Sequence, residues 1–316
     1  MEKLSFVIPC YGSELTIEGV LDEIHEVMLL RPEFDYEIIC VNDCSPDNVL
    51  AILKNRAQID PRVTVVDLTK NMGKTIAVLA GYSLITGDYE VDLDDDGQCP
   101  LDKLWELFAA IENGSDLAYA GYSKKKQSGF KIFGSMLNAL MAHHLIGKPK
   151  SLVISNFSIR RGFLVKEALK YKGAYPYTLG ISINATNKIT NVPMEERDRA
   201  AGRGNFTLRK SFAMWMNGFT AFSTKPLQIS SFVGLLIALT GFVCGIILII
   251  RKLFISPNIA VGYPSTIATL LFIGGMIMLM LGMLGEYVGR IYINQNNLSQ
   301  YIIRDVYNGS DSIETR

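Results

Sequence analysis

The sequence is short of the groups that most often carry enzyme chemistry by themselves. It has three histidines in 316 residues. Two of them, His143 and His144, are adjacent rather than at metal-ligand spacing, and are read as structural. No Ser/His/Asp arrangement stands out. The five cysteines, Cys10, Cys40, Cys44, Cys99 and Cys244, are an odd set without paired spacing. That argues against a disulfide framework or a zinc ribbon and fits free thiols in a reducing compartment. Neither sign of charge predominates, with 31 Lys and Arg against 31 Asp and Glu, so composition makes no case for nucleic-acid binding. Internal repeats and low-complexity segments are missing as well. The first residues, Met-Glu-Lys-Leu-Ser-Phe-Val-Ile-Pro, lack the apolar run of a signal peptide, and the first 225 residues are expected to stay in the cytoplasm.

What is present begins with two long uncharged runs, Ile229 to Ile250 (22 residues) and Ser265 to Gly285 (21 residues). At about 1.5 Å per residue, each can cross a hydrocarbon core of about 30 Å. Two transmembrane helices are therefore expected, near 229–250 and 265–287, returning residues 291–316 to the cytoplasmic side as a tail that is disordered after Asn308. Arg251 and Lys252 in the external loop run against the positive-inside tendency, so the orientation rests on the large amino-terminal domain and the basic run before the first span. Gly241-x-x-x-Gly245 and Gly285-x-x-x-Gly289 allow close helix approach, and a homo-oligomer is one way to use them.

Ahead of the spans, short apolar runs alternate with helical spacing. Strands are expected at Leu4–Pro9, Tyr36–Val41, Val63–Leu68, Leu117–Gly121 and Val153–Ile159. Helices are expected after each of the first three, at Leu101–Glu112 and at Gly162–Tyr171. That is an α/β fold with a mainly parallel, Rossmann-like sheet, in which ligands bind outside the carboxyl ends of the strands. The polar clusters fall there: Pro9, Tyr11 and Glu14; Asp43; Asn71 and Lys74; and the acidic stretch Tyr89 to Pro100.

That stretch, Tyr-Glu-Val-Asp-Leu-Asp-Asp-Asp-Gly-Gln-Cys-Pro, is hard to explain as packing. A strand over Glu90–Leu93 would put Asp92, Asp94 and Asp96 on one side and Asp95 on the other. Crowded carboxylates take up protons or recruit a cation, and Asp-x-Asp suits a divalent ion with oxygen ligands; the alternative is a solvated turn capping the next helix. Further on, Lys124 to Lys126 form a basic loop, either a solvated turn or a phosphate or headgroup contact. Phe130 to Leu145 is apolar on more than one face. Glu195 to Phe206 is polar and basic, and Phe212, Trp215, Met216, Phe219 and Phe222 then recur at helical spacing. An interfacial amphipathic helix is expected over 207–226.

Taken together and in order, Val7-Ile8-Pro9-Cys10-Tyr11 with Glu14, Val41-Asn42-Asp43-Cys44-Ser45, Asn71-Met72-Gly73-Lys74, Asp94-Asp95-Asp96-Gly97-Gln98, Arg199 to Lys210, Phe222 to Leu227 and Leu284 to Tyr292 look like motifs of one family. The chain resembles the family 2 glycosyltransferases with a GT-A fold, specifically the polyprenyl-phosphate glycosyltransferases of the dolichol-phosphate mannose synthase type. The resemblance implies a GT-A catalytic domain over 1–206. It implies a nucleotide site of Pro9, Tyr11, Glu14, Asp43, Asn71, Lys74 and Asp94, with Asp43 at the base. Asp94 and Asp96 would form the pair around Mg²⁺ or Mn²⁺, with Gln98 lining the sugar site. Arg199, Arg203 and Lys210 would face the acceptor phosphate. Asn42 stands where the family often has Asp, Cys99 where Asp is common, and Gly204 where Ser is frequent, so the sugar is not read from these motifs.

The implied partners are a nucleoside-diphosphate sugar of the UDP or GDP type and a membrane polyprenyl phosphate, which is undecaprenyl phosphate in a bacterium. A processive polysaccharide synthase would carry Gln-x-x-Arg-Trp, which precedes neither Trp105 nor Trp215. A non-catalytic scaffold for a lipid-export partner would not need Asp43, Asp94 and Asp96 intact.

Overall fold

The computed structural model describes residues 1–122, 152–173, 176, 178–197, 262–295, 299–309 and 311–313, with scattered positions between 232 and 254. The chain divides into two compact units, one of Met1–Ser211 with Asn297–Arg316 and one of Phe212–Asn296.

In the first unit, strands and helices alternate as the apolar pattern requires: β1 (Lys3–Cys10), α1 (Ile17–Leu29), β2 (Asp35–Asn42), α2 (Val49–Ile59), β3 (Val63–Leu68), α3 (Lys74–Tyr82) and β4 (Tyr89–Asp92). A 3-10 turn at Leu101–Lys103 leads into α4 (Leu104–Glu112) and β5 (Leu117–Tyr122), and after the segment 123–151 come β6 (Ser158–Arg161), α5 (Gly162–Lys170), α6 (Thr178–Ala185) and β7 (Ile189–Met194). β8 (Ile303–Asn308) and β9 (Asp311–Ile313) follow the second unit in sequence but belong to the same sheet.

The sheet runs β7-β5-β6-β4-β1-β2-β3-β8-β9. β4, β1, β2 and β3 are mutually parallel, and β5 pairs in parallel with β7. β6 and β8 run antiparallel to β4 and β3 on either flank. Alternation along β1 sorts the core. Phe6, Ile8 and Cys10 pack with α1, α2 and α4, whereas Val7 on the other face packs with Val78 and Tyr82 of α3 and Val165 of α5. Helices cover both faces of a buried sheet, the arrangement that parallel strands require. Gly81 brings α3 flush against it, since a Cβ there would lie 2.5 Å from Val7 Cγ1.

Two expectations change. The segment expected as a strand from Val153 becomes regular only at Ser158, and the carboxyl-terminal residues expected as a tail add two strands to the sheet. Asp311–Ile313, beyond Asn308, pairs with β8 rather than being disordered.

The second unit contains α7 (Tyr263–Gln295), 33 residues long. Within it Phe272–Ile293 has a mean hydropathy of 1.6 and no buried share, and it is the one helix among the described residues long and apolar enough to cross a membrane. A shorter apolar helix spans Phe232–Gly241. Most of the rest of the expected first span, and all of the amphipathic helix over 207–226, Phe130 to Leu145, Lys124 to Lys126, His143 and His144, lie outside the described residues.

Candidate active site

β1 has β2 on one side and β4 on the other, so chain order reverses beside it. In open α/β sheets the crevice at that reversal, beyond the carboxyl ends, is where ligands bind. Four loops leave those ends, and each is tied to the next. From the β1 loop, the N–H of Tyr11 donates to Asp95 Oδ2 at 2.9 Å and that of Gly12, at φ +72°, to Ser45 Oγ at 2.8 Å. The β1 and β2 loops are joined again by Glu14, whose N–H donates to Asp47 Oδ2 at 2.9 Å while its carboxylate accepts the Asn48 N–H at 3.0 Å. Asp43 leaves β2 and accepts from the N–H groups of Met72 and Gly73 in the β3 loop at 2.7 and 2.8 Å. The β3 loop reaches the β4 loop through an ion pair between Lys74 Nζ and Asp94 Oδ1. The ring is closed.

Local conformation makes this possible. Gly73 sits at φ +87°, where an L side chain is strained, and from there its N–H faces Asp43 while Lys74 begins α3. Burial raises the pKa of Asp43 against the pull of its two amide bonds. Burial also works against the Lys74 ammonium, but Asp94 and Asp92 outweigh it and raise its pKa.

β4 ends at Asp92, so strand alternation does not sort Asp94, Asp95 and Asp96; they occupy the turn beyond it. Asp94 faces Lys74, and its second oxygen accepts from Asn156 Nδ2 at 2.6 Å. Asp95 turns the other way and holds the β1 loop, its backbone carbonyl also accepting from Thr16 Oγ1 at 2.6 Å. Asp96 Oδ1 accepts the Gln98 N–H at 3.1 Å, and Gln98 Nε2 donates to the Arg197 carbonyl at 3.2 Å. Arg197 is anchored by Glu23 at 2.7 Å and Asp102 at 2.5 Å. The basic segment therefore starts beside the Asp-x-Asp turn, although Arg199, Arg203 and Lys210 themselves lie outside the described residues.

Of the residues singled out in the sequence, Tyr11, Glu14, Asp43, Lys74, Asp94, Asp96 and Gln98 meet around this crevice. Asn71 is exposed in the β3 loop, and Pro9 is buried inside β1 opposite Val41. Sequence reasoning assigned nothing to Asn156, Asp95 or Arg197, whose partners are 62, 84 and 174 residues away. Behind the crevice lies a further cluster. Glu90, fully buried, stands opposite Arg160 in the β4–β6 ladder, with Arg160 Nε 2.7 Å from Glu90 Oε2 and Nη2 3.5 Å from Asp92 Oδ2. Burial pushes the Glu90 carboxyl up to about 8, against the pull of Arg160.

Residues 5–168, just over half of the chain, match the family model "Glycosyl transferase family 2". The chain belongs to the family 2 glycosyltransferases. It is a glycosyltransferase, and its sheet is the GT-A kind that the motifs led us to expect. Residues 225–291 match a second model, "GtrB C-terminal hairpin". The SfII prophage-derived bactoprenol glucosyl transferase of Shigella flexneri is 30% identical over 98% of this chain and 99% of its own length. The undecaprenyl-phosphate 4-deoxy-4-formamido-L-arabinose transferase of Yersinia enterocolitica is 28% identical over 97% and 94%. Among solved structures, the glucosyl-3-phosphoglycerate synthase of Mycobacterium tuberculosis, crystallised with Mn²⁺ and UDP-glucose, superposes with a TM-score of 0.50 at 21% identity, covering 69% of this chain and 77% of that one. That last likeness concerns the fold alone.

Proposed function

We propose that this glycosyltransferase moves a sugar from a nucleoside-diphosphate sugar, of the UDP or GDP type, to a polyprenyl phosphate at the cytoplasmic face of a membrane, with inversion at the anomeric carbon. The observation that carries the reading is the closed ring of four loops, which gathers a cation, Lys74, and the acidic pair Asp94 and Asp96 at the reversal point of the sheet. The relatives named for bactoprenol and undecaprenyl phosphate match almost end to end, which favours undecaprenyl phosphate as acceptor.

Asp94 and Asp96 would hold a divalent ion, Mg²⁺ or Mn²⁺. The fit is good in kind, because both offer hard carboxylate oxygens and Asp94 already accommodates one cationic group. Among the described residues no cluster of three or more His, Cys, Asp or Glu is poised for a metal, so the remaining ligands would be donor phosphate oxygens and water. Bound there, the ion supplies positive charge against the leaving diphosphate. Asp43 would border the nucleotide base, each carboxylate oxygen keeping a lone pair after accepting its loop amide. Gln98, tied to Asp96 and Arg197, would line the sugar site. A phosphate monoester has a second pKa of about 6 and is mostly ionised near neutrality, so the nucleophile needs no strong base. Arg199, Arg203 and Lys210 would draw that phosphate to headgroup depth.

The two-span reading has support of its own. β8 pairs with β3, so residues on both sides of the second unit belong to one sheet. A chain that leaves a domain and rejoins it crosses any intervening membrane an even number of times. With α7 as one crossing, the second falls in 229–250, consistent with the hairpin match.

The test is direct. Purified protein with labelled nucleotide sugars, undecaprenyl phosphate and Mn²⁺ should form a glycolipid; nucleotide binding without product from any donor would favour the scaffold. Asp96→Ala should lower turnover by about 10²–10³-fold or more while leaving folding intact. Arg199→Ala should raise KM for the lipid more than for the donor, and an equal rise in both would make Arg199 structural.

A further inference from the structure

Asp94 has both of its carboxylate oxygens engaged by side chains. One oxygen is paired with the Lys74 ammonium, and the other accepts from Asn156 at 2.6 Å, so side chains from two separate loops hold it from both ends. These neighbours differ in charge. Asn156 only orients the carboxylate, while Lys74 neutralises it. Gly73, pinned through its N–H to Asp43, fixes the backbone from which Lys74 begins α3, while the lysine side chain itself is partly exposed and can swing between neighbouring anions.

We propose that Lys74 is a positioning residue that makes cation binding at Asp94 depend on the donor, so that divalent ion and nucleoside diphosphate bind as partners rather than separately. This rests on the donor-site reading given above. A bare divalent ion must take Asp94 from Lys74 and leave the ammonium beside a like charge with no anion to face. A diphosphate entering with the ion provides that anion. Lys74 then moves from the carboxylate to a phosphate oxygen, and the repulsion becomes shared attraction to one group. Because linkage is reciprocal, the same contact makes nucleotide binding tighter with metal than without it. Asn156 keeps Asp94 oriented through the exchange.

Mn²⁺ binding to the full-length protein in detergent, followed by electron paramagnetic resonance without turnover, tests this, with UDP and GDP as the nucleotide probes. In the wild type, Mn²⁺ alone should bind weakly and tighten about tenfold or more with one nucleotide, within the usual range of coupling. Lys74→Gln, which keeps a hydrogen-bond donor but no charge, should bind Mn²⁺ alone more tightly and show a coupling smaller than the wild type's, the remainder coming from direct coordination of the ion by the phosphate oxygens. Lys74→Arg should restore the coupling. Unchanged or weaker binding of Mn²⁺ alone in Lys74→Gln, with wild-type coupling, overturns the role of Lys74 and leaves the glycosyltransferase reading standing. Absence of Mn²⁺ binding in the wild type with either nucleotide overturns the role of Lys74 and the Asp94–Asp96 metal reading together, and Asp94→Asn read alongside separates that case from nonspecific signal.

Discussion

The two antiparallel strands that flank the parallel core do one chemical job under opposite conditions. Each brings an arginine to an acidic residue of a parallel strand. β6 places Arg160 directly across from Glu90 and within 3.5 Å of Asp92, with 3% of the arginine side chain exposed and its guanidinium carbon 5.4 Å from the Tyr82 ring centre. β8 places Arg304 3.3 Å from Asp67, but 52% of that arginine is in solvent and Asp67 has a second partner, the Asn42 amide, at 2.7 Å. On the β6 side one cation serves two buried carboxylates, and Arg160 Nε and Glu90 Oε2 are close without being aligned as a hydrogen bond. Burial keeps Glu90 protonated below about pH 8, so the charge of Arg160 is met chiefly by Asp92. On the β8 side Asp67 is also buried, but Asn42 donates to it and the arginine is half in solvent, so the arginine is an accessory.

The contrast sets the order of the expected effects. Arg160→Met should be the most damaging, because it strands Glu90 and Asp92 in the core; loss of one partner of a buried pair typically costs about 3–5 kcal/mol. Denaturant unfolding of the purified protein would measure it, and a loss below about 1 kcal/mol would erase the distinction between the flanks.

Next is a pH effect. Glu90 has a folded-state pKa raised from 4.5 to about 8, so the fold favours its protonated form. The stability this contributes is present in full below about pH 4.5 and is lost as pH rises through about 8. Wild type should therefore lose stability relative to Glu90→Gln as pH rises from about 4.5 to about 8, by roughly 3–5 kcal/mol at most, as a titration shared with Asp92. A pH-independent difference would mean that Arg160 keeps Glu90 ionised throughout.

Arg304→Ala should be the mildest, about 1 kcal/mol or less after solvent screening, and weaker still in high salt. If it matched Arg160→Met, the strand pairing itself rather than its burial would decide the outcome.

The parallel core was readable because its strands are apolar runs and its helices repeat at helical spacing; β3 matches its expected bounds, and β1 and β2 each extend one residue further at both ends. The acidic turn and the polar cluster of the β3 loop stood out in the sequence because charge at a strand end has no packing explanation. β8 was not. Ile303-Arg-Asp-Val-Tyr-Asn has one buried residue, Val306, and a strand near the rim of a sheet needs little apolar content, so its pattern looks like a polar tail. The Glu90–Arg160 pair depends on a register across 70 residues, and the split between Asp94 and Asp95 on contacts with Asn156 and Tyr11. Local periodicity contains none of these.

The place of β8 also fixes an order of events in synthesis. β3 ends at Leu68 and its neighbour begins at Ile303, so about 235 residues, including both apolar segments, are made before that neighbour exists. At roughly 5–20 residues per second the β3 edge stays unpaired for roughly 10–50 s. For that time the nascent enzyme exposes a strand edge of the kind that pairs readily with other chains. β8 is thus a seal, set only after the second unit has been made.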